Sequence, residues 1–293
     1  MSTLRLWLVA ARPRTLPAAI APVLVGTTLA AQEDAFHALA FVAAMVGSVF
    51  IQIGTNLSND YSDARRGADT EDRLGPVRVT AGGLIPPQRV LTGTYVAFGV
   101  AVAAGAYLAA VAGWELLAVG AASILAGVLY TGGPRPYGYE GLGELFVFLF
   151  FGVVAVTGSY FVQTEELAWE AFALSVPVGL LAAAILVVNN IRDIETDRRA
   201  GKRTLAVKLG RERARRLWVA MVVVALAAPV VIAATGTLSW WITLTALSWG
   251  LVPPLGEKVR ERTDGPSLND ALAETGRLLA VFSVLLSTGL LLS

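Results

Sequence analysis

Nine apolar stretches of spanning or nearly spanning length recur along this chain, and its 23 lysines and arginines gather at alternate ends of them without exception. The stretches run roughly over 15–31, 38–58, 90–112, 115–131, 143–163, 170–190, 216–235, 238–255 and 276–292, the fourth being short. Basic residues precede the first (Arg5, Arg12, Arg14), follow the second (Arg65, Arg66, Arg73, Arg78, Arg89) and follow the fourth (Arg135). A run from Arg192 to Arg216 follows the sixth, and Lys258, Arg260, Arg262 and Arg277 lead into the ninth. The opposite loops, around Glu33, Glu115, Glu165 and Thr237, hold none. A missed or invented crossing would scramble this partition. The expected fold is therefore all-α: one integral-membrane domain over 1–293, a multi-pass transmembrane bundle of nine helices with its N-terminus cytoplasmic and its C-terminus outside.

Composition agrees, since 55% of residues are hydrophobic, only 15% are charged and the mean hydropathy is +0.64, far from the balance of a soluble domain. Cysteine is absent, which excludes disulfides, thiolate chemistry and cysteine-containing zinc sites. The single histidine, His37, lies beside Glu33 and Asp34 in a short loop and reads as a surface residue. The start, "MSTLRLWLVAARPRTLPAAI", has arginines on both sides of a very short apolar run and no small-residue cleavage site, so it is expected to be retained. Trp240, Trp241 and Trp249 read as lipid-facing or interfacial, and no nucleic-acid partner is expected.

The second stretch runs directly into "NLSNDYSDARRGADTEDRLGP". Asn56, Asn59, Asp60 and Asp63 fall at i, i+3, i+4 and i+7, so a continuing helix puts them on one face. At the end of the sixth stretch Asn190, Asp193 and Asp197 fall at i, i+3 and i+7, with Asn189 beside them. "NDYSDARRG" and "RDIETDRRAG" echo one another across four crossings, which returns both to the same face and suggests a duplicated bundle. Hydrocarbon does not tolerate such stripes on the lipid side, and unpaired carboxylates repel, so a cation is expected between them. All-oxygen donors suit a hard ion such as magnesium, which commonly uses one or two carboxylates together with substrate phosphates.

Basic residues follow each stripe: Arg65, Arg66, Arg73 and Arg78 after the first, and Arg198, Arg199, Lys202 and Arg203 after the second. Carboxylates, a divalent ion and nearby cations make a site for a diphosphate, although most of these charges also serve topology. A third stretch on the same side, "YTGGPRPYGYEGLGE", concentrates Arg135, Tyr137, Tyr139 and Glu144 in a compact glycine- and proline-rich loop. There an arginine can hold an anion and tyrosine faces can bracket an aromatic ring or a developing cation.

These residues resemble the UbiA superfamily of membrane prenyltransferases, whose two aspartate-rich motifs match Asn59, Asp60 and Asp63, and then Asp193 and Asp197. "RPRTLPAAIAPVLVGT", "YTGGPRPYGYEGLGELFVFLFFG", "NNIRDIETDRRAGKRTLAVKLG" and "SLNDALAETGRL" are similar to the branch that acts on 1,4-dihydroxy-2-naphthoate, over nearly the whole chain. The usual third acid of the first motif is replaced by Gly67; the resemblance carries that role to Asp69, with Asp72 as the alternative. What it implies is a magnesium-dependent transfer from polyprenyl diphosphate to 1,4-dihydroxy-2-naphthoate with loss of carbon dioxide, giving demethylmenaquinone, at the cytoplasmic face of the cell membrane. Asn59, Asp60, Asp63, Asp69, Asn190, Asp193 and Asp197 would hold Mg2+, with Asp60, Asp63, Asp193 and Asp197 catalytic; Arg66, Arg73, Arg78, Arg135 and Lys202 would bind the diphosphate. Tyr137 or Tyr139 would shield the carbocation. The alternatives are another aromatic acceptor, such as 4-hydroxybenzoate or homogentisate, and an ion transporter with buried carboxylates, against which the apolar outer halves of the helices weigh.

Overall fold

The computed structural model describes residues 2–68 and 74–293, which fold as helices joined by short connections, with no strand among the described residues. α1 (Thr3–Ala11) and a 3-10 turn (Pro13–Thr15) meet α2 (Pro17–Gln32) at a bend of 55°. Pro13 and Pro17 lack the N–H that would carry the helix onward, and Arg12, just before Pro13, takes the left-handed conformation, with φ 54. α3 (Ala38–Arg65), α4 (Pro87–Ala112) and α5 (Glu115–Leu129) follow. α6 (Gly143–Val147) widens into a π-helical segment (Phe148–Val154) and continues as α7 (Ala155–Thr164). After α8 (Trp169–Arg199) come the short α9 (Leu205–Leu209) and α10 (Arg211–Ala234). A 3-10 stretch (Trp240–Leu251) then leads into α11 (Val252–Glu261), and α12 (Gly265–Leu291) ends the chain.

All nine expected stretches are helical, but they are not nine equal rods. Among the described residues six helices are long and apolar enough to cross a membrane, or seven if the bent N-terminal pair is one span. α5, with 15 residues, reaches about 22 Å, short of the about 30 Å hydrocarbon core. The eighth stretch compensates for its 12 residues by 3-10 winding, whose greater rise carries it about 24 Å. The ninth begins at Gly265, where Asp264 accepts the N–H of Ser267 at 2.9 Å and caps the helix, so Arg277 lies exposed within α12 and does not precede it.

α3 (28 residues) and α8 (31 residues) run about 42 and 46 Å, longer than the hydrocarbon core, so their polar ends continue as helix past it. This is why an oily helix leads straight into carboxylates. α8 is the central element: 72% of its most apolar window is buried, against 28% for α3. It packs on α10, α12 and the π segment, while α3 packs on α4 and α5, and α2 packs on α7 and α12. Gly152 and Gly179 let the π segment and α8 touch backbone to backbone, since a Cβ on Gly152 would meet the Gly179 Cα at 2.6 Å. Opposite the acidic ends, the Tyr160 hydroxyl donates to Glu33 at 2.6 Å, and His37 is exposed with its backbone N–H donating to Gln163.

Candidate active site

The two stripes are helical and face inward as their spacing requires. On α3, Asn56, Asn59, Asp60 and Asp63 are 4%, 5%, 1% and 1% exposed, and on α8 Asn190 and Asp193 are each 4% exposed. Asn59 and Asp63 from α3 share one cavity of about 500 Å³ with Asn189, Asn190, Asp193 and Asp197 from α8. The rest of its wall is largely apolar, from Ala101 and Leu108 on α4 through Leu117 and Ile124 on α5 to Phe150 and Val162. A charged end thus opens into an oily chamber.

Asp63 is the hub of the charged end. Its Oδ1 accepts the Tyr139 hydroxyl at 2.7 Å, and its Oδ2 meets Lys202 Nζ at 3.2 Å and the Arg78 guanidinium at 3.5 Å. Lys202 also stands over the Tyr139 ring, 4.8 Å from its centroid. Backbone bonds lock the approach: Arg203 N–H donates to the Tyr139 carbonyl and Lys202 N–H to the Asp197 carbonyl, each at 2.8 Å. The loop after α5 and the turn after α8 are therefore stitched together over Asp63. Lys202, Arg78 and Tyr139, distant in sequence, arrive at one carboxylate.

Asp60 also has a local structural duty. Its two oxygens accept the backbone N–H groups of Val79 (3.2 Å) and Thr80 (2.9 Å), and it does not line the cavity. Through these bonds it pins the segment that presents Arg78. Arg135 is exposed and forms no part of the cavity wall. Arg66 is exposed too, donating to the Gly133 carbonyl and covering the Tyr139 ring from 5.9 Å. Asp69, Asp72 and Arg73 lie outside the described residues. Asn59 accepts the Thr131 hydroxyl at 2.9 Å, and Asn190 donates to Glu144 at 2.9 Å. Because a carboxylate can only accept, that second bond fixes the Asn190 amide with its NH2 on Glu144 and leaves its oxygen turned elsewhere.

Tyr137 and Tyr139 separate in role. The Tyr137 hydroxyl donates to the Ala126 carbonyl on α5 at 2.9 Å, its ring stacks on Phe146 at 4.0 Å, and Tyr130 meets it edge-on at 5.5 Å. Burial pushes the Tyr137 phenol well above the ordinary tyrosine range, so it stays neutral. Phe150 continues the row at 6.1 Å from Phe146, so an aromatic rail descends from the loop into the chamber. The glycines of this loop make room for Tyr130: a Cβ on Gly138 would meet its carbonyl at 2.6 Å and its ring at 2.9 Å. Tyr130, Thr131, Arg12 and Arg192 carry no sequence assignment to the site, yet the first three line the cavity and Arg192 grips Asp193. The first three have no periodic signal that marks them, while Arg192 was hidden among charges that topology already explains.

Among the described residues no three acidic or histidine side chains converge closely enough to cage an ion unaided. Magnesium does not require that, since it completes its shell with substrate phosphate and water. The donors fit such an ion: carboxylates and amide oxygens, with basic groups beside them.

Fold and site together define a polytopic membrane enzyme for an amphiphile with an anionic head and a long apolar body. The chain belongs to the UbiA prenyltransferase family, whose pattern matches residues 19–264. It is 40% identical over 301 residues to 1,4-dihydroxy-2-naphthoate octaprenyltransferase of Mycobacterium leprae, covering 100% of this chain and 98% of that protein. Its identity to the protein of the same name from Escherichia coli is 35%, covering 100% of this chain and 97% of that one. A UbiA homologue from Archaeoglobus fulgidus, solved bound to DMAPP and Mg2+, superposes with a TM-score of 0.68 at 15% identity, covering 96% of this chain and 99% of that chain, and so shares the fold.

Proposed function

We propose that this prenyltransferase moves a polyprenyl group from its diphosphate to 1,4-dihydroxy-2-naphthoate, releasing diphosphate and carbon dioxide, with Mg2+ as cofactor. The observation that carries the reading is the single chamber in which the α3 and α8 stripes meet Arg78 and Lys202 at one end and apolar walls beyond. The names of the full-length relatives support the naphthoate acceptor. We assign one domain to residues 1–293, with nine crossings, a cytoplasmic N-terminus and the charged end toward the cytoplasm, on the partition of all 23 basic residues.

Asp63, Asp193 and Asp197, with the Asn59 and Asn190 amides, would hold the metal, and Asp69 remains the proposed third acid of the first motif. When bound, magnesium supplies positive charge against the diphosphate as the allylic C–O bond breaks. Lys202 and Arg78, already fixed on Asp63, add charge that is in place before the reaction. The allylic carbocation left behind lies beside the aromatic rail, where neutral Tyr137 and the Phe146 face exclude water and offer π density. The electron-rich hydroquinone ring attacks that carbon, and the ring regains its aromaticity as the carboxylate leaves as carbon dioxide from the attacked position, or as a ring proton leaves and a proton later replaces the departing carbon dioxide. No electrons leave in this exchange, so the product emerges as the hydroquinone form of demethylmenaquinone.

The test incubates purified protein with labelled polyprenyl diphosphate, magnesium and a panel of aromatic acids, and weighs the lipid products. A prenylated naphthohydroquinone that fails to form after chelation and returns with added magnesium is the expected result. Prenylated 4-hydroxybenzoate in its place would sink the acceptor assignment. Metal flux into liposomes without any prenyl diphosphate would favour a transporter.

A further inference from the structure

Arg192 is among the largest fully buried side chains of the protein, 2% exposed, at the polar end of α8. Its Nε and one terminal nitrogen form a fork on Asp193, at 2.8 Å to Oδ1 and 2.6 Å to Oδ2. Successive residues on an α-helix point about 100° apart and do not ordinarily face one another. The guanidinium reaches its neighbour because it is held from two other directions. Asn189 accepts from it at 2.8 Å one turn back on α8, and Asn269 of α12 accepts at 2.6 Å from the remaining nitrogen. Asn269 in turn donates to the Leu74 carbonyl at 3.1 Å. That chain of bonds ties the polar start of α12, "SLNDALAETGRL", to the acidic end of α8.

A guanidinium cannot give up its proton, so this is a permanent charge inside the protein, and the Nε edge used here meets both carboxylate oxygens in one plane. The fork takes one lone pair from each Asp193 oxygen. Any further partner must then approach from the outer side of the carboxylate, and an ion meets one oxygen, not both.

We propose that Arg192 is a positioning residue that fixes Asp193 for one-oxygen coordination of the divalent cation, and that Asn269 is the bracket that keeps Arg192 in place. This rests on the metal–diphosphate reading above. Groups that orient a metal ligand typically change metal affinity by about 10–100-fold when removed.

The experiment compares wild type, Asn269→Ala and Arg192→Lys as purified full-length protein. Mn2+ binding in the presence of inorganic pyrophosphate is followed by electron paramagnetic resonance, beside the magnesium dependence of turnover and the thermal midpoint without ligand. Asn269→Ala is the gentler variant and keeps the result readable if Arg192→Lys does not fold. Expected is Mn2+ and Mg2+ half-saturation raised by about tenfold or more in Asn269→Ala, with the ligand-free midpoint and the turnover at saturating metal close to wild type. A lowered midpoint with unchanged metal affinity makes Arg192 a packing residue and overturns the proposal. Wild-type protein that binds no Mn2+ with pyrophosphate overturns the metal–diphosphate reading itself, and the bracket with it.

Discussion

The two acidic stripes are alike in sequence and unlike in how they are held. On α3, Asp63 draws its partners from far away: Tyr139, Lys202 and Arg78 come from the loop after α5, the turn after α8 and the connection before α4. On α8, among the described residues, Asp193 is gripped by the residue beside it, and that residue is bracketed from α12. The first stripe therefore depends on assembly of the whole polar end. The second is largely built into its own helix. Two similar stripes thus serve differently: one gathers the loops and one is held by its own helix and α12.

The largest test of this contrast removes the carboxylates. Asp63→Ala and Asp193→Ala should each lower prenyl transfer by at least about 10²–10³-fold while the protein stays in the membrane fraction. Near-normal magnesium-dependent turnover in Asp193→Ala would falsify the metal assignment. Asp60→Asn comes next, because it separates pinning from coordination. Loss of a charge-assisted bond to Val79 or Thr80 should raise the KM for prenyl diphosphate by about 10–100-fold through Arg78 and leave magnesium half-saturation unmoved. A shift in the magnesium curve instead would return Asp60 to the ligands.

Tyr139→Phe deletes one bond to the Asp63 hub and should cost about tenfold in kcat/KM, with the cation–ring contact to Lys202 retained. If it cost no more than twofold, the remote stitching of Asp63 would be decorative. Glu144→Gln is the smallest, within about threefold, since a glutamine oxygen still accepts from Asn190. Glu144→Leu should exceed it, and equal kinetics for the two would show that the Asn190 amide needs no orienting.

What the sequence made legible was what is local. Helical spacing placed Asn56, Asn59 and Asp63 on one face because three and four residues bring side chains to the same side of any helix. Charge partition placed both polar ends on the same side because lysine and arginine collect on one side of a membrane. The duty of Asp60 was hidden because its partners are backbone N–H groups about twenty residues on, and every residue but proline has one. Arg192 was hidden because a cation near a membrane end already had a sufficient reason to exist. Winding was hidden as well: nothing in the apolar composition of Trp240–Leu251 separates a 3-10 stretch from an α-helix. The start of α12 was misplaced since hydropathy counts begin where oil begins, whereas the helix begins at its Asp264 cap.

The π segment at Phe148–Val154 has a further bearing on how this crossing is compared with others. Each wide turn absorbs more chain per revolution than a regular one, so residues before Phe148 and after Val154 are out of phase on any helical wheel drawn straight through. A projection at constant angle that sets Phe146 toward the chamber would misdirect Gly158 and Ser159, which also line it. Aligning this crossing with a uniformly wound one calls for a gap of one position inside an unbroken oily run, where neither charge nor proline marks the place.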